Sequence, residues 1–504
     1  MDNKFLYGCP RPCVRSLIGL EKKFQMYKRL QSNIPKIVEE ARQLGGKVGI
    51  PENLRGKFGL TGAHSSFPGP ISKNVLEAMI RAQHSQIKLE ELVDMLRDLV
   101  KDLYGDEYDA APICSGEAAL WVAFDVLVTS PMLGRGDAYR TRYIAPFERH
   151  MSHHGGFGRP FPPRYKFFVA DRYVTAGELG VEGKRLLNLD TIVVPLAGAR
   201  YDAHGIKYYP TPLLSQVDAE ASSEKIADIA ERNASYLAAF ASLGYDVPGY
   251  GYGEKMPNGA PKLQTLIGNL AKKYDIPYIT DDAWGAPVVG TDLRKTGASL
   301  MFYSVDKVMH GPISALIIGK EDVMIPIRRA LGMHSHRFGT VSAYAKAQYS
   351  AFDPGKEAIA AQIEIVKTLK EDPKKFTEPV DKTYEIVQEE FAVFQPEKFK
   401  EDLIITKTYN NLGVEINYDR TWNHGELGIP IFSEDDSFAR TSLIETCLDA
   451  AGVLPTIAYD GNILISPGGG TIGDDGQLLE ERMRYGVRAL VGIFEIICKY
   501  AGLL

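Results

Sequence analysis

The stretch Tyr278–Gly319, YITDDAWGAPVVGTDLRKTGASLMFYSVDKVMHGPISALIIG, constrains this chain more than any other, because it sets a carboxylate and a lysine at the ends of two neighbouring short apolar runs. Pro277–Thr280 follows a helical pattern and is too short for a helix. It reads as a buried parallel strand with Asp281 at its carboxyl end, where open α/β sheets gather their ligands. Leu300–Tyr303 reads as a second strand, which ends in Ser304-Val305-Asp306-Lys307. A lysine just past a strand end can form a Schiff base with an aldehyde, and an acid on a neighbouring strand end can hold a pyridinium nitrogen protonated. Taken singly, Asp281 and Asp282 read more readily as helix caps and Lys307 as a solvated lysine.

The joint pattern, Asp281-Asp282-Ala283-Trp284 and then Ser304-x-x-Lys307, resembles the aspartate aminotransferase superfamily, the type I fold of pyridoxal phosphate enzymes. The resemblance implies an α/β architecture: a large domain with a mostly parallel seven-stranded sheet flanked by helices, and a small α+β C-terminal domain. It also implies pyridoxal 5'-phosphate as cofactor, bound as an aldimine on Lys307, with Asp281 under the ring nitrogen, Ala283 against the ring and Ser304 nearby. Side chains of adjacent residues at an extended strand end project to opposite sides, so only one of Asp281 and Asp282 can face the ring. The position of Ala283 selects Asp281.

Other stretches fall in the order this family uses. Ala110–Ile113 is a short extended piece, and Ser115-Gly116-Glu117 then opens a helix. Unpaired N–H groups and the positive end of the helix dipole make such a turn an anion site, although simple capping gives the same pattern. By resemblance, Ser115, Gly116 and Glu117 hold the cofactor phosphate. The run His150-Met-Ser152-His153-His154-Gly is similar to a segment of serine hydroxymethyltransferase whose first histidine stacks on the pyridine ring, which points to His150, with His153 second. No carboxylate or cysteine cluster completes a metal shell there, so no metal is expected. Arg337, Gly339 or Thr340 would reach the phosphate of a partner subunit. The Gly/Ser/Pro-rich passage Phe58–Pro70 cannot be a regular element, and by resemblance it is an arm that crosses to a dimer partner and brings Gly62, Ala63 and His64 to the substrate; a plain connector is the other reading.

Organisation follows from periodicity. Residues 1–74 read as an arm and linker that includes a basic amphipathic piece, Leu17–Leu44. Residues 75–341 read as the large cofactor-binding domain, where candidate strands at Phe167–Ala170, Thr191–Ala197 and Tyr236–Ala241 alternate with helical or turn-rich pieces, and residues 342–504 as the small domain. In the small domain a charged helical stretch, Lys356–Val380, precedes strands near Gly413–Asn417 and Asn462–Ser466 and a final helix over Leu478–Ala501. With 45% hydrophobic residues, a net charge of −6 and five scattered cysteines, the composition suits a cytoplasmic globular protein without a disulfide framework, a DNA-binding field or a membrane span. Cys9-Pro-Arg-Pro-Cys13 has a metal-like spacing but lacks the second pair that a zinc site needs.

The family's chemistry passes through a Cα carbanion delocalised into the cofactor ring, with Lys307 as the proton-moving base. Ordinary aminotransferases clamp the substrate carboxylate with a small-domain arginine. Here that place reads Ser466-Pro-Gly-Gly-Gly-Thr471, and Arg440 and Arg482 are the nearest alternatives in sequence. The Asp-x-Ala-Trp-Gly form is similar to group II decarboxylases. The histidine run and the lysine context look like hydroxymethyltransferases and selenocysteine-synthase-type proteins. Lyase-type chemistry on an amino acid or related amine is therefore the leading expectation, ahead of transamination and of a non-catalytic cofactor-binding regulator. A homodimer or higher homo-oligomer is expected, and a tRNA-linked substrate stays open.

Overall fold

The computed structural model describes residues 12–63, 65, 67–128, 140, 142–148, 166–169, 172–175, 190–204, 207–331, 349–423, 427–430, 443–459 and 461–504. In chain order its helices and strands are α1 (Pro12–Lys47), α2 (Lys73–His84), α3 (Leu89–Tyr104), β1 (Tyr108–Ile113), α4 (Gly116–Leu127), β2 (Arg142–Pro146), β3 (Lys166–Val169), β4 (Arg172–Thr175), β5 (Asp190–Val194), β6 (Arg200–His204), β7 (Lys207–Leu213), α5 (Ala219–Arg232) and β8 (Leu237–Leu243). Then come α6 (Lys262–Tyr274), β9 (Tyr278–Asp281), α7 (Leu293–Thr296), β10 (Leu300–Ser304), β11 (Ala315–Lys320), α8 (Glu321–Ala330), α9 (Lys356–Glu371), α10 (Lys374–Phe391), β12 (Ile404–Thr408), β13 (Gly413–Asn417), α11 (Leu443–Ala451), β14 (Ile457–Tyr459), β15 (Asn462–Ile465) and α12 (Glu480–Ala501).

Seven strands among the described residues form one sheet in the order β1-β11-β10-β9-β8-β2-β5. β5, β2, β8, β9 and β10 run parallel, and β11 runs antiparallel to both its neighbours, β10 and β1. Every residue of β1, β8, β9 and β10 is buried, as strands covered on both faces must be. Helices supply the cover: α3 turns Leu96 and Val100 into the core over the sheet, packs Leu92 and Val93 with Ile359, and ends at Gly105, whose φ of +112° a side chain would resist. Because the central strands are parallel, their carboxyl ends lie together, and Leu243, Asp281 and Phe302 are register partners across β8, β9 and β10.

A second core lies around the antiparallel sheet β12-β13-β15-β14, packed with α10, α11 and α12. Met26, Tyr27, Leu30, Ile37 and Ala41 of α1 are buried in that same core, so the N-terminal helix packs with the C-terminal elements. The arm Phe58–Pro70 forms no regular element, as its Gly/Pro content dictates. Two expectations need adjustment. The strand near Phe167 belongs to a separate hairpin, β3–β4, outside the large sheet, and β6–β7 is another. The helical stretch Lys356–Val380 is two helices, interrupted at Asp372-Pro373 because the proline ring denies the preceding residue helical geometry. No helix among the described residues is long and apolar enough to cross a membrane.

Candidate active site

At the carboxyl edge of the sheet, β9 ends on Asp281 and the turn after β10 carries Lys307. Asp281 is buried, its Oδ1 accepts from the Ala283 N–H at 2.9 Å, and its charge acts on Lys307. Lys307 is half-buried. Loss of hydration pushes its ammonium below the usual lysine range, against the opposing pull of Asp281, Asp306 and Glu117. An amine that sheds its proton more readily while facing a carboxylate is what nucleophilic attack on an aldehyde requires. The Lys307 Nζ stands 6.0 Å from the centroid of the buried Trp284 ring, which stacks on Tyr245 at 5.3 Å. Trp284 belongs to the sequence motif, whereas Tyr245 lies outside any motif and carries no local signal of this role.

Ser115 caps α4, its Oγ accepting from the Ala118 N–H at 3.1 Å. The helix start stands directly against the end of β10: a Cβ added to Gly116 would lie 2.5 Å from Ser304 Oγ. A side chain at this position would have to displace the Ser304 hydroxyl. Ser304 is buried and donates its N–H to the Ala283 carbonyl at 3.3 Å. Ser115, Gly116, Glu117, Asp281, Ala283, Ser304 and Lys307 are thus gathered at one place on the sheet edge. His64, His150, His153, Arg337, Gly339 and Thr340 lie outside the described residues.

The two aspartates separate as the strand alternation requires. Asp282 turns away from the lysine and is fully buried, with Oδ1 accepting from Asn410 Nδ2 at 3.1 Å and Oδ2 without a hydrogen-bond partner among the described residues. Burial, reinforced by the charges of Asp281 and Asp246, pushes its carboxyl well above the usual range. Asn410 also donates to the Gly244 carbonyl and accepts from the Thr291 N–H at 3.0 Å, so the β12–β13 turn is pinned beneath the β8 and β9 ends. Glu148, two residues beyond β2, is a further buried acid at this edge.

Where a carboxylate-clamping arginine would stand, the chain forms an arch at Gly468, Gly469 and Gly470, all with positive φ. The arm fills the space beside it: Gly62 donates to Ser466 Oγ at 2.8 Å, Gly59 donates to the Gly469 carbonyl at 2.8 Å, and a Cβ on Gly468 would lie 2.5 Å from Gly62 Cα. Arg482 holds the arch, its Nη1 donating to the Gly470 carbonyl at 2.9 Å. His310, which ends the Lys307 turn, abuts Gly69 and Gly468, and burial pushes its imidazole down to about 4. A cavity of about 420 Å³ opens past that turn between Val308, Met309, His310, Ile365, Phe376 and Leu412, and Lys307 does not line it.

The sheet just described, mostly parallel with one antiparallel strand and with an acid and a lysine at adjacent strand ends, is the architecture the sequence resemblance implies. It is a helix-covered α/β sheet of seven strands with a separate small antiparallel sheet. No family model matches the chain, and no curated protein does. Among solved structures, a complex of SepCysS with the SepCysE N-terminal domain is similar at 13% identity and a TM-score of 0.49, covering 89% of this chain and 97% of that one. An aspartate aminotransferase double mutant from Thermus thermophilus is similar at 12% identity and a TM-score of 0.49, with 92% and 98% covered. D-glucosaminate-6-phosphate ammonia-lyase stands at 13% identity and a TM-score of 0.44, with 88% and 96% covered.

Proposed function

We propose that this chain is a pyridoxal 5'-phosphate enzyme acting on an amino acid or related amine, with lyase-type chemistry at Cα or Cβ. The observation that carries the reading is the placement of a partly desolvated Lys307 facing the buried Asp281 on adjacent strand ends, beside the start of α4. The donor set fits the group. The Gly116 main chain lies against the Ser304 hydroxyl, and the first N–H groups of α4 lie outside its own hydrogen-bond ladder. Ser115, Gly116 and Glu117 would hold the phosphate with Ser304 beside them, and Ala283 leaves room for the ring. When bound, the cofactor supplies an electron sink for a bond broken at Cα.

The protein's own residues do the rest. Asp281 would favour a proton on the ring nitrogen through charge pairing. Lys307, with its proton affinity lowered by burial, would hold the group's aldehyde carbon and would be the base placed to move protons at Cα. The Trp284–Tyr245 stack shields the lysine from water on one side. The glycine arch bears on the reaction type: its Cβ positions are filled by the arm's main chain and Arg482 is engaged with the Gly470 carbonyl, which speaks against the clamp of ordinary α-amino-acid transamination. The assembly is proposed as a homodimer.

Borohydride reduction of the full-length protein incubated with pyridoxal phosphate, followed by peptide mapping, should place the adduct on Lys307, and Lys307→Ala should abolish it. An adduct that persists on another lysine in that variant overturns the assignment. Turnover of an amino acid without amino transfer to an added 2-oxo acid is expected; stoichiometric transfer would replace the lyase reading with transamination.

A further inference from the structure

Glu148 is a buried acid with no task in the arrangement above. It follows β2 in a tight turn, its N–H donating to the Pro146 carbonyl at 2.9 Å, and its side chain is wholly inside the protein. Both carboxyl oxygens are engaged: Oε1 accepts from the Leu243 N–H at 3.0 Å, and Oε2 accepts from the Tyr252 hydroxyl at 2.5 Å. Leu243 is the last residue of β8 and the register partner of Asp281, and the adjoining Gly244 N–H donates to the Asp281 carbonyl at 2.7 Å. One carboxyl group therefore ties the ends of β2 and β8 together at the edge on which Asp281 is set.

The charges around it are one-sided. Leu243 faces it from β8, Tyr252 from the following loop and Asp281 from β9, and among the described residues Asp281 is the charged group that acts on it. Tyr252 continues inward to Ser242, whose Oγ lies 2.5 Å from the Tyr278 hydroxyl, so hydroxyl groups and not cations extend the network. A structural tie between two strands needs no ionisable group, since a glutamine amide could accept the same N–H. A buried carboxyl group that faces a like charge has a further capacity: it can add a negative charge beside Asp281 when it loses its proton.

We propose that Glu148 is a positioning residue for Asp281, which fixes the strand edge that carries this carboxylate and, on ionising, adds a second negative charge that strengthens its hold on the proton of the cofactor's ring nitrogen. The proposal rests on the reading that pyridoxal phosphate is bound over Asp281. Burial, opposed by the Tyr252 and Leu243 hydrogen bonds and reinforced by Asp281, pushes the Glu148 carboxyl up to about 8, so its ionisation falls in an accessible range. The Tyr252 hydroxyl favours the ionised form by donating to it, and its removal must move that ionisation upward.

The test is a pH titration of the visible absorbance of bound pyridoxal phosphate in full-length wild type, Glu148→Gln and Tyr252→Phe. Wild type should show an inflection near 8. Glu148→Gln should bind the cofactor and lose the inflection, and Tyr252→Phe should retain it at higher pH. An unchanged inflection in Glu148→Gln, or an unmoved one in Tyr252→Phe, overturns the proposal; if Glu148→Gln does not fold, Tyr252→Phe decides alone. Wild type and Lys307→Ala that are indistinguishable in reducible adduct would instead defeat the functional reading, and this proposal with it.

Discussion

At the scale of single residues, the acids at the sheet edge divide by what they face. Asp281 acts on Lys307, whereas Asp282 points to Asn410 and burial disfavours its charged form. Removing the charge partner that Asp281 would offer a protonated ring nitrogen should cost ~3–5 kcal/mol, a loss of orders of magnitude in rate if that charge is used in the transition state. Asp281→Asn should therefore nearly abolish turnover and change the bound cofactor's spectrum, while Asp282→Asn, which mimics the uncharged acid, should retain most of both; steady-state rates in the reverse order would refute the register. Stability adds a second readout. The folded-state pKa values of Asp282 and Glu148 both lie above those of the unfolded chain, so folding binds protons and the stabilisation, complete below the ordinary carboxyl range, is lost as pH rises towards the folded values. The fall in melting temperature between pH 5 and 9 should accordingly be smaller in Asp282→Asn than in wild type, and an equal fall would exclude a buried uncharged Asp282. Asp281 and Lys307 were legible because each ends a short apolar run. Glu148 was not, because a glutamate followed by Arg149 just after a strand looks like a solvated turn until β8 and Tyr252 are seen to enclose it.

At the scale of elements, the tightest packing is main chain against main chain, where the arm meets the glycine arch. A Cβ on Gly62 would overlap the Pro467 carbonyl oxygen, which no rotamer change can relieve. Overpacking of this kind costs ~1–3 kcal/mol, and Gly62→Ala should lower the denaturant midpoint and expose the Phe58–Pro70 arm to proteolysis. Gly259 offers the contrast: its φ is +82° but nothing lies within 4 Å of its Cβ position, so Gly259→Ala should cost only the ~1 kcal/mol of left-handed backbone. Equal destabilisation by the two, measured in urea, would show that contact with the arch is not what holds the arm. The sequence exposed the arm as irregular through its Gly and Pro content, but the partner of Gly62 lies some 400 residues away, and no local pattern reports such a contact. The same limit explains the β3–β4 and β6–β7 hairpins. A short apolar run shows that a strand forms, and only its hydrogen-bond partners show to which sheet it belongs.

At the scale of the whole molecule, the chain closes two cores, one over the seven-stranded sheet and one in which α1 joins the C-terminal helices, and α2 lies just after the arm that links them. One face of α2 is spent: Val75, Ala78 and Ala82 are buried, and α9 is its main neighbour. The other face presents Leu76 and Ile80, one helical turn apart, at 45% and 50% exposure. Complete burial of such a side chain yields ~1.5–3 kcal/mol, so each half-exposed residue retains ~1 kcal/mol to gain. In a two-fold interface the same patch is covered on both subunits, and each residue counts twice, for a total of ~4 kcal/mol. The proposed homodimer should therefore weaken by on the order of 10³ in Kd in the Leu76→Glu, Ile80→Glu double variant, while the folded subunit, whose α2 packing face is untouched, keeps its melting temperature. Sedimentation velocity of wild type and variant across a concentration series checks this. A wild-type monomer with full activity would remove the dimer from the proposed function, and a dimer that the double variant leaves intact would place the interface on another surface.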